Sequence, residues 1–159
     1  GLPHRLELVA SCDIAGNQLR IINDSKATND AAAARALSSF QRIFWCAGGL
    51  AKETSLPNCI KELRQVKHAY LYGNSKTQFQ SELSGLIPTT LAKNLEDATS
   101  KAFAAAKEFT LQDGVDSFVL LSPAAASFDT FANFEERGRQ FTDFAQKLCQ
   151  QQPHHMEAL

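Results

Sequence analysis

The stretch Leu120-Leu121-Ser122-Pro123-Ala124-Ala125-Ala126-Ser127-Phe128-Asp129-Thr130-Phe131-Ala132-Asn133-Phe134-Glu135-Glu136-Arg137-Gly138 decides the fold. Its first residues close the apolar run Phe118-Val119-Leu120-Leu121, the pattern of a strand covered on both faces in a parallel sheet. Pro123 ends the strand, and residues 122–127 carry no side chain larger than proline. Backbone N–H groups and the Ser122 and Ser127 hydroxyls are therefore expected to approach a ligand at the carboxyl end of the strand, where open α/β sheets bind theirs. Asp129 or Thr130 is the expected cap of the following helix, whose first N–H groups would face an anion. An ordinary strand-to-helix turn fits these residues equally well.

Outward from this stretch the chain keeps alternating. Residues 6–10 and 18–22 are short apolar-rich segments around a polar turn at 13–17, which predicts an antiparallel hairpin or edge. Alanine content predicts a helix over 28–37, Ile43, Phe44 and Trp45 a strand over 42–47, and a short helix follows at 58–64. Next come a strand at 66–72, a helix at 75–84, a short strand at 87–90, an amphipathic helix at 95–106, a strand at 116–121 and a helix from about 130 to 149. The alternation predicts an α/β domain with a Rossmann-like, mainly parallel, doubly wound sheet and an N-terminal antiparallel edge or hairpin. Phe134, Phe141, Ala145 and Leu148 fall on one helical face and read as core. The domain is expected to span 1–149, with 150–159 a frayed polar tail containing Pro153. His154-His155 has no third ligand at suitable spacing and reads as an exposed remnant.

At 159 residues with 44% hydrophobic content, the chain has enough sequence for one substantial core. Sixteen basic and seventeen acidic residues without runs give no electrostatic argument for nucleic acid or an anionic membrane. No apolar segment is long enough to span a bilayer, and no signal-peptide pattern opens the chain, so a cytoplasmic location is expected. Cys12, Cys46, Cys59 and Cys149 are scattered without zinc or dithiol spacing and read as reduced, mostly buried thiols. The G-x-x-x-x-G-K-[ST] phosphate loop is missing, because Gly48-Gly49-Leu50-Ala51-Lys52 lacks its spacing and its Ser/Thr. Neither a Ser/His/Asp order nor a catalytic carboxylate pair stands out. No residue of this chain is therefore assigned a catalytic or metal-binding role.

A second strand–polar loop–helix unit carries Asn23-Asp24-Ser25-Lys26-Ala27-Thr28-Asn29, and two further blocks are Gly1-Leu2-Pro3-His4-Arg5 and Ala47-Gly48-Gly49-Leu50-Ala51-Lys52. Together with the opening stretch they strongly resemble the C-terminal domain of the Mur ligases, over residues 1 to about 148, and most closely the branch that adds D-glutamate. Ala125 stands where that family carries cysteine. The resemblance implies a piece of a longer, monomeric, ADP-forming amide ligase of cell-wall peptidoglycan synthesis. Such an enzyme joins D-glutamate to UDP-N-acetylmuramoyl-L-alanine through an acyl phosphate. ATP and Mg would be held mainly by a central domain outside this chain, and the isolated domain would be inactive. Gly1, met so close to a motif, fits an excised piece. Another Mur-type or a folylpolyglutamate-type ligase domain, or a non-catalytic binding module of the same fold, are the alternatives.

The resemblance also implies a distribution of roles over loops that follow three different strands. Thr28 and Lys52 would hold one carboxylate of D-glutamate, and Ser127 with the backbone around Phe128 and Phe134 the other. His4, Arg5, Asp24 and Lys26 would lie on the nucleotide side. Each has a plainer reading. Lys52 suits a solvated loop, though Gly48-Gly49 before it gives the backbone freedom to approach a ligand. Thr28 suits a helix cap, Ser127 a bond to a buried backbone group, and Phe134 the core. His4, Arg5 and Asp24 suit surface pairing, and Lys26 suits a salt bridge to Asp24.

Overall fold

Residues 2–153 are described in the computed structural model of the chain. Strands β1 (Glu7–Ile14) and β2 (Asn17–Asn23) pair antiparallel around a two-residue turn. Ala15 and Gly16 there have φ of 51° and 94°, the left-handed pair that a tight hairpin turn requires. Then follow α1 (Asp30–Leu37), β3 (Ile43–Gly48), α2 (Pro57–Ile60), β4 (Val66–Tyr72), α3 (Lys76–Leu83), β5 (Thr89–Leu91), α4 (Leu95–Asp113), β6 (Ser117–Leu121) and α5 (Phe134–Gln150). The sheet runs β1-β2-β6-β3-β4-β5, with every pair after the hairpin parallel.

Burial on both faces explains the apolar runs. Along β6, Val119 and Leu121 point into one core with Phe44, Cys46, Tyr70 and Phe141, while Leu120 points into the other with Trp45, Ala47 and Leu71. Helices α4 and α5 cover the first face, and α1, α2 and α3 the second. Phe141 and Ala145 of α5 are core residues as the spacing predicted, whereas Leu148 is half-buried against that core and Phe134 is also half-buried.

Three helices begin on asparagine: Asn29, Asn94 and Asn133 accept from Ala32 N at 2.9 Å, Asp97 N at 2.8 Å and Glu136 N at 2.8 Å. Asn133, rather than Asp129 or Thr130, caps α5, so that helix starts four residues later than the residue pattern predicted. Thr130 and Phe131 N–H instead bond Ser127 O in a turn, and Asp129 accepts from Asn74 N at 2.9 Å. Thr28 is likewise displaced from its expected cap by Asn29. Helix α4 runs to Asp113, beyond the predicted 106, and stops at Gly114 with φ 65°. Helix α2 is a single turn, shorter than predicted. His154-His155 and the rest of the tail beyond Pro153, like Gly1, lie outside the described residues.

Register aligns the carboxyl ends of four strands. Asn23 is level with Leu121, Leu121 with Cys46, and Gly48 with Tyr72. Because β6 is inserted between β2 and β3, the loops after β2, β6 and β3 are neighbours at one edge of the sheet.

Candidate amino-acid and nucleotide site

The loop of residues 122–127 is a brace, which corrects the expectation of an open backbone cradle. Ser122 N donates to Cys46 O at 3.2 Å, Ala124 N to Ala27 O at 2.9 Å and Ala126 N to Leu50 O at 3.1 Å. Ser122 O, Pro123 O and Ala126 O accept from Trp45 Nε1, Gly48 N and Leu50 N. The small side chains allow this interlocking of loops. Gly48 and Gly49 serve it as well: at φ of 142° and 127°, added Cβ atoms would collide with Tyr72 O and Ala126 O. Their freedom is spent on strand-to-loop contact, not on a ligand.

Arg137, which is not among the candidate residues of the sequence, locks the brace from α5. It is fully buried, and donates to Ser25 Oγ at 2.9 Å, Ser25 O at 2.8 Å and Ala125 O at 3.0 Å. Ser25 Oγ in turn donates to Phe134 O at 2.7 Å. Burial pulls the guanidinium below its ordinary range, while Tyr72 and Asp129 act the other way. The signal was present in the spacing: Arg137 lies three residues after Phe134 and four before Phe141, on the buried face of α5.

Two recesses flank the loop of residues 24–29. The first, of about 510 Å³, is lined by Arg5, Asp24, Lys26, Asn29 and Arg35 among others. Asp24 is only 5% exposed and accepts from Leu6 N at 3.1 Å and Ser122 Oγ at 2.8 Å. Desolvation raises its pKa, against those two hydrogen bonds and the charges of Arg5 and Arg35. Asp24 is thus a fixed element of the wall rather than half of a surface pair. Lys26 is exposed and forms no ion pair with it, since the ion pairs among the described residues are Arg20–Asp116 and Lys101–Asp97. His4 does not line this recess. Its Nδ1 lies 3.0 Å from Asn23 Nδ2, which can only donate, and its ring occupies the space that a Cβ at Gly138 would need. Arg35, which completes the cationic lining, was not singled out from the sequence.

The second recess, of about 490 Å³, brings together Thr28 and Lys52, with Asn29, Asp30, Glu53 and Asn58 on its walls. Asp30 is held by hydrogen bonds from Asn58 N, Asn58 Nδ2 and Cys59 N, each at 2.9 Å. Burial pushes its pKa up, but these bonds outweigh it and the carboxyl stays below its ordinary value. Ser127, Phe128 and Phe134 do not line this recess. Ser127 is 2% exposed, and its Oγ has no partner. Phe128 is 69% exposed, whereas the Phe134 carbonyl is taken by Ser25. The Leu50–Ala126 bridge nevertheless sets the Lys52 loop directly beside the Ser127 turn.

No family model matches the chain. It is 42% identical over 94% of its length to the UDP-N-acetylmuramoylalanine–D-glutamate ligase of Phenylobacterium zucineum, covering 30% of that enzyme. It is 40% identical to the enzyme of the same name from Rhodospirillum rubrum, over 94% of the chain and 30% of the relative. The chain is homologous to the Mur ligases. The chain spans about a third of the length of these relatives. Two solved structures share the fold. Mycobacterium tuberculosis folylpolyglutamate synthase complexed with ADP superposes with a TM-score of 0.56 at 15% identity, over 91% of this chain and 32% of that one. The UDP-N-acetylmuramate-alanine ligase of Thermotoga maritima superposes with a TM-score of 0.51 at 14% identity, over 93% and 31%. The likeness to both neighbours thus runs over nearly all of the chain's mainly parallel α/β fold.

Proposed function

We propose that this chain is the C-terminal, amino-acid-presenting domain of a cytoplasmic, monomeric ADP-forming ligase that joins D-glutamate to UDP-N-acetylmuramoyl-L-alanine. The observation that carries the reading is the pair of recesses on either side of residues 24–29, sharing Asn29 as a common wall. The recess with Arg5, Lys26 and Arg35 suits the phosphates of ATP or of an acyl phosphate. The recess with Lys52 and Thr28 suits a carboxylate, through one cation and one hydroxyl.

In the proposed reaction the amine of D-glutamate attacks an acyl phosphate, and the tetrahedral intermediate expels phosphate. This domain contributes proximity, closing over an acceptor and ATP held by the rest of the enzyme. Lys52 and Thr28 fix a carboxylate so that the amine points towards the cationic recess. Ser127 Oγ, a buried donor without an acceptor, is assigned to the other carboxylate, reached when the Ser127 turn opens towards the Lys52 loop. Phe128 and Phe134 frame that turn through their main chain, and His4 positions Asn23 behind the first recess. Mg²⁺ would neutralise charge on the transferred phosphate. Among the described residues no group of three or more His, Cys, Asp or Glu side chains gathers in metal-binding geometry.

Full-length enzyme containing this chain, assayed with ATP, UDP-N-acetylmuramoyl-L-alanine and a panel of amino acids, tests the reading. D-glutamate is expected to be used well and D-alanine, which lacks the distal carboxylate, poorly. Equal use of the two, or use of glutamate only with a folate acceptor, overturns it. The chain alone is expected to turn over no ATP.

A further inference from the structure

The amino end of the sheet, opposite the recesses, carries a second chemical feature. Cys12 of β1 and Cys149 of the last turn of α5 are 137 positions apart in sequence, yet their Sγ atoms lie 2.9 Å apart, the Cys149 thiol donating to Cys12. Cys12 is paired with Leu19, which is level with Ser117 at the start of β6, so the pair sits at the end of the sheet remote from residues 24–29. A depression of about 200 Å³ is lined by both cysteines together with Asp13, Gln150 and Gln152. Cys46 and Cys59 offer no competing partner: both are fully buried, with their thiols against Ala98 O and Asp30 O.

We propose that Cys12 and Cys149 form a peroxide-oxidisable dithiol whose disulfide fastens the end of α5 to β1. Cys12 is the attacking sulfur. The hydrogen bond from Cys149 holds its thiol below the ordinary range, with help from Lys107, while burial and Asp13 oppose it. Cys149, which donates that bond and is partly buried, is pushed the other way. The Cys12 thiolate attacks one oxygen of hydrogen peroxide, the O–O bond breaks, and hydroxide leaves to take up a proton as water. Cys149 sulfur then attacks the Cys12 sulfenic acid. The S–S bond forms as the S–O bond breaks, and the Cys149 proton leaves with hydroxide as a second water. Two thiols are oxidised by two electrons, and one peroxide is reduced to two waters. A disulfide measures about 2.05 Å between sulfurs, a short step from the observed contact.

Because the bond would close a ring of nearly the whole domain, it restricts the unfolded chain strongly, and oxidation is expected to raise the thermal midpoint by roughly 5–10 °C. The test treats this chain with hydrogen peroxide, then titrates thiols after denaturation, maps peptides by mass spectrometry and records melting with and without dithiothreitol. Two of the four thiols should disappear, in one Cys12–Cys149 linked peptide, and the midpoint should rise until reductant is added. Cys149→Ser should stop at a Cys12 sulfenic acid that dimedone traps, and Cys12→Ser should leave Cys149 reduced. Four surviving thiols, linkage only between separate molecules, or Cys12 driven to sulfinic acid without linkage overturns the proposal. A linked peptide without a midpoint rise overturns the fastening. If either variant fails to fold, the wild-type peptide map decides alone. Every readout is independent of ligase activity.

Discussion

The loop after β6 and the loop after β3 stand side by side, yet they use their polar groups in opposite ways. Residues 122–126 spend theirs on the fold: Ser122, Ala124 and Ala126 N–H and four carbonyls are bonded within the chain. Beyond Leu50 and Ala51, whose N–H groups are tied to Ala126 O and Ser75 Oγ, the other loop presents the exposed side chains of Lys52 and Glu53 to a recess. One loop is a fixture and its neighbour is a tool. The difference teaches that small residues at the end of a parallel strand buy close packing first, and that the ligand-facing groups stand one loop away.

Substitutions at the two loops should therefore separate stability from catalysis. The largest effect is expected at Arg137. Arg137→Ala strands the Ser25 and Ala125 carbonyls in the interior, at a cost of roughly 3 kcal/mol or more. That corresponds to a midpoint lower by roughly 6–12 °C in melts of this chain. Arg137→Lys should not restore it, because one ammonium cannot reproduce the forked geometry. A normal melt of Arg137→Ala would break the contrast from the structural side.

Lys52→Ala should do the reverse. The midpoint should stay within about 1 °C, as for an exposed loop residue. Meanwhile kcat/KM for D-glutamate in the full-length enzyme should fall roughly ten- to a hundredfold, the worth of a charge-assisted hydrogen bond. Affinity for the nucleotide-linked acceptor should not change. Wild-type kinetics would remove Lys52 from the pocket.

Ser127→Ala sharpens the comparison, because Ser127 belongs to the brace in sequence and to the pocket in chemistry. Its hydroxyl has no partner, so the substitution should leave the melt unchanged or slightly improved while lowering kcat/KM for D-glutamate about fivefold. A marked loss of stability with normal kinetics would return Ser127 to the fixture.

The smallest effect is the pH response of Asp24. Its carboxyl has a folded pKa above the unfolded one, so between the two values the folded state holds more protons than the unfolded state. Stability attributable to Asp24 is then greatest at low pH and declines as pH rises from about 3.9 through the raised value. Asp24→Asn should flatten this part of the midpoint-versus-pH curve, and an unchanged slope would show that Asp24 carries no such charge cost.

Much of this was legible in the residues. The apolar runs at 43–47, 69–72 and 118–121 marked the central strands because burial on both faces there leaves no alternation to obscure them. Blocks containing Thr28 and Lys52 pointed to residues that do share a recess. Cap choice was not legible, because Asp129, Thr130 and Asn133 are all good caps and a turn closing on Ser127 O decides among them. Arg137 escaped because arginine in a helix ordinarily faces solvent, and only its place between Phe134 and Phe141 betrayed it. The first recess gathers Arg5, Asp24 and Lys26 of the expected nucleotide group and leaves out His4, whose ring fills the space that Gly138 provides.

The insertion of β6 between β2 and β3 also governs when the domain can form. Until residues 117–121 join, β2 has no parallel neighbour and β3 is open on one side, so the middle of the sheet waits for a strand made late in synthesis. Pairs such as Leu19–Ser117 and Cys46–Leu121 are distant in sequence, and contacts of this kind close slowly because chain entropy is lost before they are rewarded. A growing chain would therefore expose two unpaired strand edges from the completion of β3 until β6 emerges, and the neighbouring loops of the site would meet only when that gap is filled.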